Sequence, residues 1–154
     1  MFRTVSRDHI VAVARKYLDT PFAPKGRMLG IGLDCVGLPL MVAGELALVD
    51  KSGMPLNGGT YSTYSDQPVG NYVYEMCMKH LVYKPVREML PGDVLCISVV
   101  SAPCHVAIAS DDAQGLACII HAYSGGARKV VEHPLDKKWQ RRVTGCFKFP
   151  EVRD

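Results

Sequence analysis

Residues 91–123 read PGDVLCISVVSAPCHVAIASDDAQGLACIIHAY, and at this stretch the sequence changes from helical periodicity to short apolar runs. Pro91-Gly92-Asp93 marks a turn. The apolar runs after it, bounded by turn residues, predict strands at 94–100, 105–110, 116–121, 129–132 and 143–149. We therefore expect an antiparallel sheet of about five strands in the C-terminal half.

The N-terminal half has the periodicity of helices. Apolar residues from Ile10 to Leu18 recur at helical spacing, with Ser6 as a plausible N-cap and Thr20-Pro21 as a stop. A second helix is predicted from about Cys35 to Val49, ending near 51–53, and a third, weaker one at 72–81. Helices followed by strands, rather than alternating with them, predict an α+β fold.

Composition bounds the size and the class of the protein. The 154 residues, 48% hydrophobic, predict a single domain over 1–154. A net charge of +3 without a basic stripe argues against nucleic acid as a partner, and the basic stretch 137–142 is interpreted as solvated surface. Apolar runs are too short for a membrane span or a secretory signal, so we expect synthesis in a cytoplasm without a signal peptide. Six cysteines without a C-x-x-C pair indicate reduced thiols.

Cys35 is the candidate nucleophile. It lies where the second helix is predicted to begin, and unpaired N–H groups at a helix start favour a thiolate. Asp34 is expected to cap this helix, and Gly37 to leave room for a substrate backbone. Because Pro39 cannot donate to the carbonyl of Cys35, the first turn is expected to be irregular. A buried structural thiol is the alternative, and it is the interpretation that we give to Cys96, Cys118 and Cys146.

His105 and His121 are the candidate base and its orienting partner. The simplest hairpin between the strands at 105–110 and 116–121 places the two histidines opposite each other on one face of the sheet. His121 would then fix the tautomer of His105, as Asn or Asp does in other cysteine triads. Two unrelated histidines at strand ends remain an alternative.

A zinc site is another explanation for these histidines. Its ligands would come from Cys104, His105, Cys118, His121 and His133. The usual short spacings between ligand pairs are missing, so zinc is the weaker hypothesis. A serine hydrolase is weaker still, because the sequence has no G-x-S-x-G.

The motifs taken together resemble the NlpC family (NlpC/p-sixty) of papain-like cysteine peptidases of the cell wall, nearly from end to end. The segments that carry the resemblance are Leu18–Phe22, Asp34–Leu38, Pro91–Leu95, His105–Ile108 and Ile120–Ala122. The resemblance implies a papain-like fold, with N-terminal helices packed on the sheet and a Cys35-His105-His121 triad that starts as a thiolate beside a protonated His105. It implies cleavage of peptidoglycan stem peptides between D-glutamate and a diamino acid, without a cofactor or a metal.

A narrower resemblance is to the branch of this family found in bacteriophage tails. It is carried by Gly26-Arg27, by 130–135 and by the closing segment 145–150. This resemblance implies a tail component that is made in a bacterial cytoplasm and acts in the cell envelope. Its expected partners are other tail proteins, and no membrane partner is expected.

Substrate contacts are expected from Asp34, Gly37 and two positions that depart from the common family pattern. Phe22 stands where many members have tyrosine, and Val36 where many have serine, which leaves the substrate specificity open. The long segment 54–70 is predicted to be a functional loop, with Tyr61 and Tyr64 as candidates for the wall of the groove. Alternatives to the peptidase are a non-enzymatic tail assembly module and a papain-like amidase or acyltransferase.

Overall fold

The computed structural model describes residues 4–56, 72–99 and 103–153, without the side chains of 103 and 104. Within these ranges the helices are α1 (Arg7–Lys16), α2 (Gly37–Glu45), α3 (Tyr72–His80) and the single turn α4 (Lys137–Gln140), with a 3₁₀ turn at Val86–Glu88. The predicted order of helices before the main strands is confirmed. None of the helices in this part of the chain has the length and apolarity that a membrane crossing requires.

Helix α1 begins as the sequence predicts. The Ser6 hydroxyl accepts the N–H of His9 at 3.1 Å, which satisfies one of the N–H groups left unpaired at a helix start. Ile10, Val11 and Ala14 are buried on the face that packs into the core. The helix ends at Lys16, ahead of the predicted stop at 20–21, and Tyr17 is its C-cap.

Helix α2 is shorter than predicted at both ends. It begins at Gly37, two residues after Cys35, and Pro39 then lies in the first turn, where its missing N–H costs nothing. Ala47 ends it with a φ of 53°, and the N–H of Leu48 reaches the carbonyl of Ala43 at 2.8 Å. This is a Schellman C-terminus, so the apolar residues up to 49 follow the helix rather than extend it.

Six strands among the described residues form the main sheet, one more than predicted. In chain order they are β4 (Val82–Lys84), β5 (Val94–Ser98), β6 (Pro103–Asp111), β7 (Ala117–Tyr123), β8 (Lys129–Pro134) and β9 (Val143–Lys148). Their spatial order is β4-β9-β5-β6-β7-β8, and every neighbouring pair is antiparallel. The strand missed from sequence, β4, has three residues, too few to show alternation.

Two small strand pairs lie outside this sheet. β1 (Val5–Ser6) runs parallel to β10 (Val152–Arg153) and joins the two ends of the described chain. β2 (Arg27–Met28) and β3 (Gly32–Leu33) form a short hairpin just before Cys35.

The sheet has a different environment on each face. Alternate residues such as Val106, Ile108 and Ile120 belong to the main core, which they share with α1, α2 and α3. The residues between them, such as Ala107 and Ile119, belong to a second cluster with Leu135 and the partly buried Trp139. By alternation along β6 and β7, His105 and His121 project from this second face.

A fully buried carboxylate connects α1 to the sheet. Asp93 receives Arg7 at 2.7 Å through one oxygen and Lys84 at 2.8 Å through the other. The second oxygen also accepts the N–H of Leu90 at 2.8 Å, which closes the turn at Pro91-Gly92. The turn predicted to open the β-rich half is therefore tied to the first helix and to the edge strand β4.

Candidate active site

Cys35 differs from the other cysteines that the structure describes. It is half-buried and packs against the main core, whereas Cys77, Cys96, Cys118 and Cys146 are buried; none of the five is in a disulfide. The hydrogen bond that Cys96 donates to Cys77, together with burial, raises the pKa of Cys96, and burial raises the pKa of Cys146 to about 12. Cys96 and Cys146 therefore stay protonated, as expected for structural cysteines.

The turn that carries Cys35 is held by Asp34. The Asp34 carboxylate accepts the N–H of Gly37 at 2.7 Å, the guanidinium of Arg27 at 2.8 Å and the N–H of Lys25 at 2.8 Å. The Asp34 carboxylate therefore binds the N–H of the first residue of α2, although the N-cap position itself is Val36 and not Asp34 as predicted. Because these three partners belong to the chain itself, the carboxylate fixes the turn before α2, and its predicted contact with substrate stays a prediction.

Gly37 has an internal reason to be glycine. A Cβ at this position would lie 2.6 Å from the carbonyl oxygen of Gly26 and 3.0 Å from an oxygen of Asp34. A Cβ on Gly26 would in turn meet the backbone of Gly32 at 2.5 Å. This close approach of the chain gives Gly37 a packing role, and its predicted contact with a substrate backbone stays a prediction.

The predicted register of the β6–β7 hairpin is wrong by two residues. The strands pair Ile108 with Ile120, so His105 does not lie directly opposite His121. The cause lies in the loop, where the Asp112 carboxylate accepts the N–H groups of Gln114 and Leu116, both at 2.9 Å. The loop therefore closes over 112–116, and Asp111 joins the strand.

The two histidines nevertheless meet. A shift of two residues keeps both side chains on one face, because side chains alternate with a period of two. His105 Nε2 lies 2.6 Å from His121 Nδ1, and the ring centroids are 4.9 Å apart. The contact between His105 and His121 predicted from sequence is present, on a diagonal rather than across a directly opposed pair.

Burial keeps these rings neutral. His105 is 7% exposed and His121 has no exposed surface. Burial lowers the pKa of His105 to about 4, and burial together with the neighbouring His105 and His133 lowers that of His121 to about 2. The protonated His105 expected in the resting state is therefore not favoured in this environment, and a neutral imidazole is the form ready to accept a proton.

A third histidine, which we considered only as a zinc ligand, extends the pair. His133 Nε2 lies 2.8 Å from His121 Nε2, and His133 Nδ1 lies 3.0 Å from the carbonyl oxygen of Pro134. In the β7–β8 register His133 lies opposite Ile119 and His121 opposite Val131, so the two histidines are again diagonal neighbours. The signal in the sequence was the alternation along β8, which puts His133 on the same face as His121.

Two aromatic residues cover this row of histidines. Tyr123 stacks on His121 with ring centroids 5.1 Å apart. The ring centroid of Trp139 lies 5.2 Å from that of His121 and 5.0 Å from that of His133. The guanidinium carbon of Arg142 lies 5.0 Å from the centroid of the Trp139 ring. The basic stretch 137–142, interpreted from sequence as surface, therefore contributes Trp139 to the interior of the site.

The contacts of the histidines argue against zinc. Nitrogens bound to one tetrahedral zinc, each about 2.0–2.1 Å from the metal, would be more than about 3 Å apart, whereas these nitrogens approach to 2.6 and 2.8 Å. Cys118 alternates to the opposite face from His121. In the described ranges, no group of three or more His, Cys, Asp or Glu side chains could hold a metal ion.

The remaining predicted contacts for substrate divide into two groups. Phe22 and Val36 are partly buried and pack against the same core as Cys35. The N–H of Phe22 bonds to the carbonyl of Arg128 at 2.9 Å, which ties its loop to the segment before β8. Tyr61 and Tyr64 lie outside the described residues.

Comparison with solved structures identifies proteins of similar fold. The chain superposes on an NlpC/P60 family protein from Bacillus cereus ATCC 10987 with a TM-score of 0.63 and 18% identity, covering 96% of this chain and 41% of that one. The NlpC/p60 domain of the peptidoglycan hydrolase SagA gives 0.59 and 24%, with coverages of 94% and 100%. NlpC2 from Trichomonas vaginalis gives 0.65 and 14%, with coverages of 93% and 46%.

These likenesses extend over almost the whole chain. It spans less than half of the Bacillus and Trichomonas proteins, and the full length of the SagA domain. Neither a family model nor a curated protein sequence matches the chain. The predicted α+β fold is confirmed, and it is the fold of the NlpC/P60 proteins.

Proposed function

We propose that this chain is a cysteine peptidase that hydrolyses peptidoglycan stem peptides. The observation that carries the proposal is the 2.6 Å hydrogen bond between two buried histidines, on a fold shared with a peptidoglycan hydrolase domain. A half-buried thiol just ahead of a helix supplies the nucleophile. No cofactor or metal is needed for this chemistry.

In the proposed cycle, His105 accepts the proton of the Cys35 thiol. The thiolate attacks the carbonyl carbon of the scissile amide, and backbone N–H groups of the turn before α2, including that of Cys35, stabilise the oxyanion. The C–N bond breaks as His105 gives its proton to the leaving amine. Water, deprotonated by the same ring, hydrolyses the thioester, and the Cys35 thiol is restored. His121 holds the His105 ring in place throughout.

We further propose that the bond cleaved joins D-glutamate to a diamino acid and that the chain acts in the cell envelope as a phage tail component. The support for the bond is the sequence resemblance at residues 34–38 and 105–108. The support for the tail is the narrower resemblance at 26–27, 130–135 and 145–150. Phe22 and Val36, which replace the common tyrosine and serine, are the positions where specificity would differ.

The test is digestion of purified peptidoglycan followed by mass analysis of the released fragments. Wild-type protein should release fragments whose masses identify the bond cleaved. Cys35→Ala should abolish release with little change in melting temperature, whereas Cys118→Ala, which removes a buried thiol on the sheet, is the matched control and should stay active.

The histidine variants extend the same test. His105→Ala should lower the rate more than His121→Ala, because the base moves the proton and its partner only orients it. An active Cys35→Ala protein would refute the nucleophile assignment. A folded wild type without turnover, which instead binds other tail proteins, would favour an assembly module, and masses from cleavage of another linkage would favour the amidase.

A further inference from the structure

We propose that His133 is a positioning residue for this reaction: through the carbonyl of Pro134 it fixes the protons on His121 and His105, so that Nδ1 of His105 is the nitrogen that accepts the proton. The catalytic part of this inference rests on the proposed peptidase function. The proton arrangement itself rests only on the three hydrogen bonds that join the histidines to Pro134.

The direction of the hydrogen bonds is set at the Pro134 end. A carbonyl oxygen can only accept, so the Nδ1 of His133, 3.0 Å away, must carry the proton. A neutral imidazole has one N–H, so His133 Nε2 then has a lone pair and accepts the N–H of His121 Nε2 at 2.8 Å. By the same rule His121 Nδ1 accepts from His105 Nε2 at 2.6 Å. What remains unprotonated is Nδ1 of His105.

Burial and the Pro134 carbonyl together select this arrangement among the neutral forms of the row. Charging the fully buried His121 is unfavourable, so both rings of the buried pair stay neutral with one proton each. With His133 also neutral, the reverse direction would leave the Nδ1 lone pair of His133 facing the lone pairs of the Pro134 carbonyl oxygen, with no hydrogen between them. Trp139, whose ring lies 5.2 Å from His121 and 5.0 Å from His133, covers the hydrogen bond between these two rings and limits competition from water there.

The fold supplies the row from three neighbouring strands. His105 lies on β6, His121 on β7 and His133 on β8, and each ring reaches the next along a diagonal on the same face. His105 and His121 are buried, whereas His133 is half-buried at the outer strand. The row therefore leads from the proposed base to a backbone acceptor at the edge of the sheet.

This arrangement suits the reaction because it need not change during the cycle. When His105 takes a proton on Nδ1, its Nε2–H still donates to His121, and the other two bonds keep their direction. Without an acceptor at position 133, His121 can carry its proton on Nδ1 instead. His105 would then have to accept at Nε2 and hold its proton on Nδ1, where it cannot act as the base.

Two substitutions separate positioning from simple packing. His133→Leu fills the space but removes the acceptor. His133→Gln is the matched variant, because its side-chain oxygen can accept from His121 near the position of Nε2 while its amide N–H groups can donate to Pro134. Denaturation curves check that both proteins are folded.

The first measurement is ¹⁵N NMR of the histidine rings, which needs no turnover. Wild type and His133→Gln should show His105 and His121 protonated at Nε2, and wild type should show His133 protonated at Nδ1. His133→Leu should lose the uniform Nε2 tautomer of His121 and His105. A wild-type His105 protonated at Nδ1, or a His133→Leu protein with unchanged tautomers, would overturn the inference.

The second measurement is reactivity. In His133→Leu, kcat on peptidoglycan fragments should fall roughly 10- to 100-fold with little change in KM, as expected for loss of one buried acceptor, and His133→Gln should recover most of the rate. The rate of alkylation of Cys35 by iodoacetamide, followed by peptide mapping, should likewise be lower in His133→Leu than in wild type and should recover in His133→Gln. Equal rates for all three proteins would overturn the inference. Wild-type protein that shows the expected tautomers and alkylation but no turnover would instead refute the proposed peptidase.

Discussion

Acid should destabilise this protein through His105 and His121. Burial lowers the pKa of both rings below the ordinary value of about 6.5, which is the value they regain in the unfolded chain. Between those pKa values the unfolded chain binds more protons than the folded protein. The stabilising contribution of the two neutral rings is therefore fully present above pH 6.5. It is lost as the pH falls from that value through their folded pKa values, about 4 for His105 and about 2 for His121.

The size of the effect follows from the pKa of about 4 for His105. For such a shift the free energy of unfolding changes by about 2 kcal/mol between pH 7 and pH 5 for one ring. His121, with the lower pKa, should contribute a similar amount. The two rings together should therefore lower the free energy of unfolding by roughly 3–4 kcal/mol between pH 7 and pH 5. The Asp50 carboxyl, whose pKa is held below its ordinary value by the Ser52 hydroxyl and His80, loses its contribution only at lower pH.

Urea denaturation at pH 7, 6 and 5 measures this directly. His121→Asn keeps a polar side chain that can form hydrogen bonds with its neighbours but removes one titrating ring. The drop in the free energy of unfolding between pH 7 and pH 5 should therefore shrink by about half. His9→Gln is the matched control, since it removes an exposed histidine on α1 and should leave the drop unchanged. A stability that does not vary between pH 7 and 5, or a drop that His121→Asn leaves intact, would refute the assignment of neutral buried rings.

Two further predictions concern α2. Gly37→Ala should lower the free energy of unfolding by about 1–3 kcal/mol, because its Cβ would meet the Gly26 carbonyl oxygen at 2.6 Å. The control is Gly44→Ala, at an exposed position of the same helix, which should be neutral or stabilising. Equal effects in thermal melts would contradict the close approach. Ala47→Gly should stabilise by about 0.5–1 kcal/mol, because Ala47 is exposed at a φ of 53° that glycine adopts without strain, and a loss of stability in urea would count against the Schellman end.

The sequence by itself determined the elements that depend on local patterns. Ser6 and the apolar spacing after it specify α1, because a cap and a helical face involve only residues a few positions apart. The turn at Pro91-Gly92-Asp93 marks the start of the strands for the same reason. Cys35 could be placed near the start of α2 from its neighbours alone, and Pro39 accounts for the two-residue delay in that start.

Local sequence patterns could not predict which histidine rings are in contact in the site. Alternation fixed which face His105 and His121 share, but the register depended on how Asp112 closes the loop. His133 and Trp139 join the site only because β8 pairs with β7 and α4 folds back over that face, which are contacts between distant parts of the chain. The sequence therefore determined the face of the sheet on which the histidines lie. The pairing of strands decided which rings touch and, through Pro134, which nitrogen carries each proton.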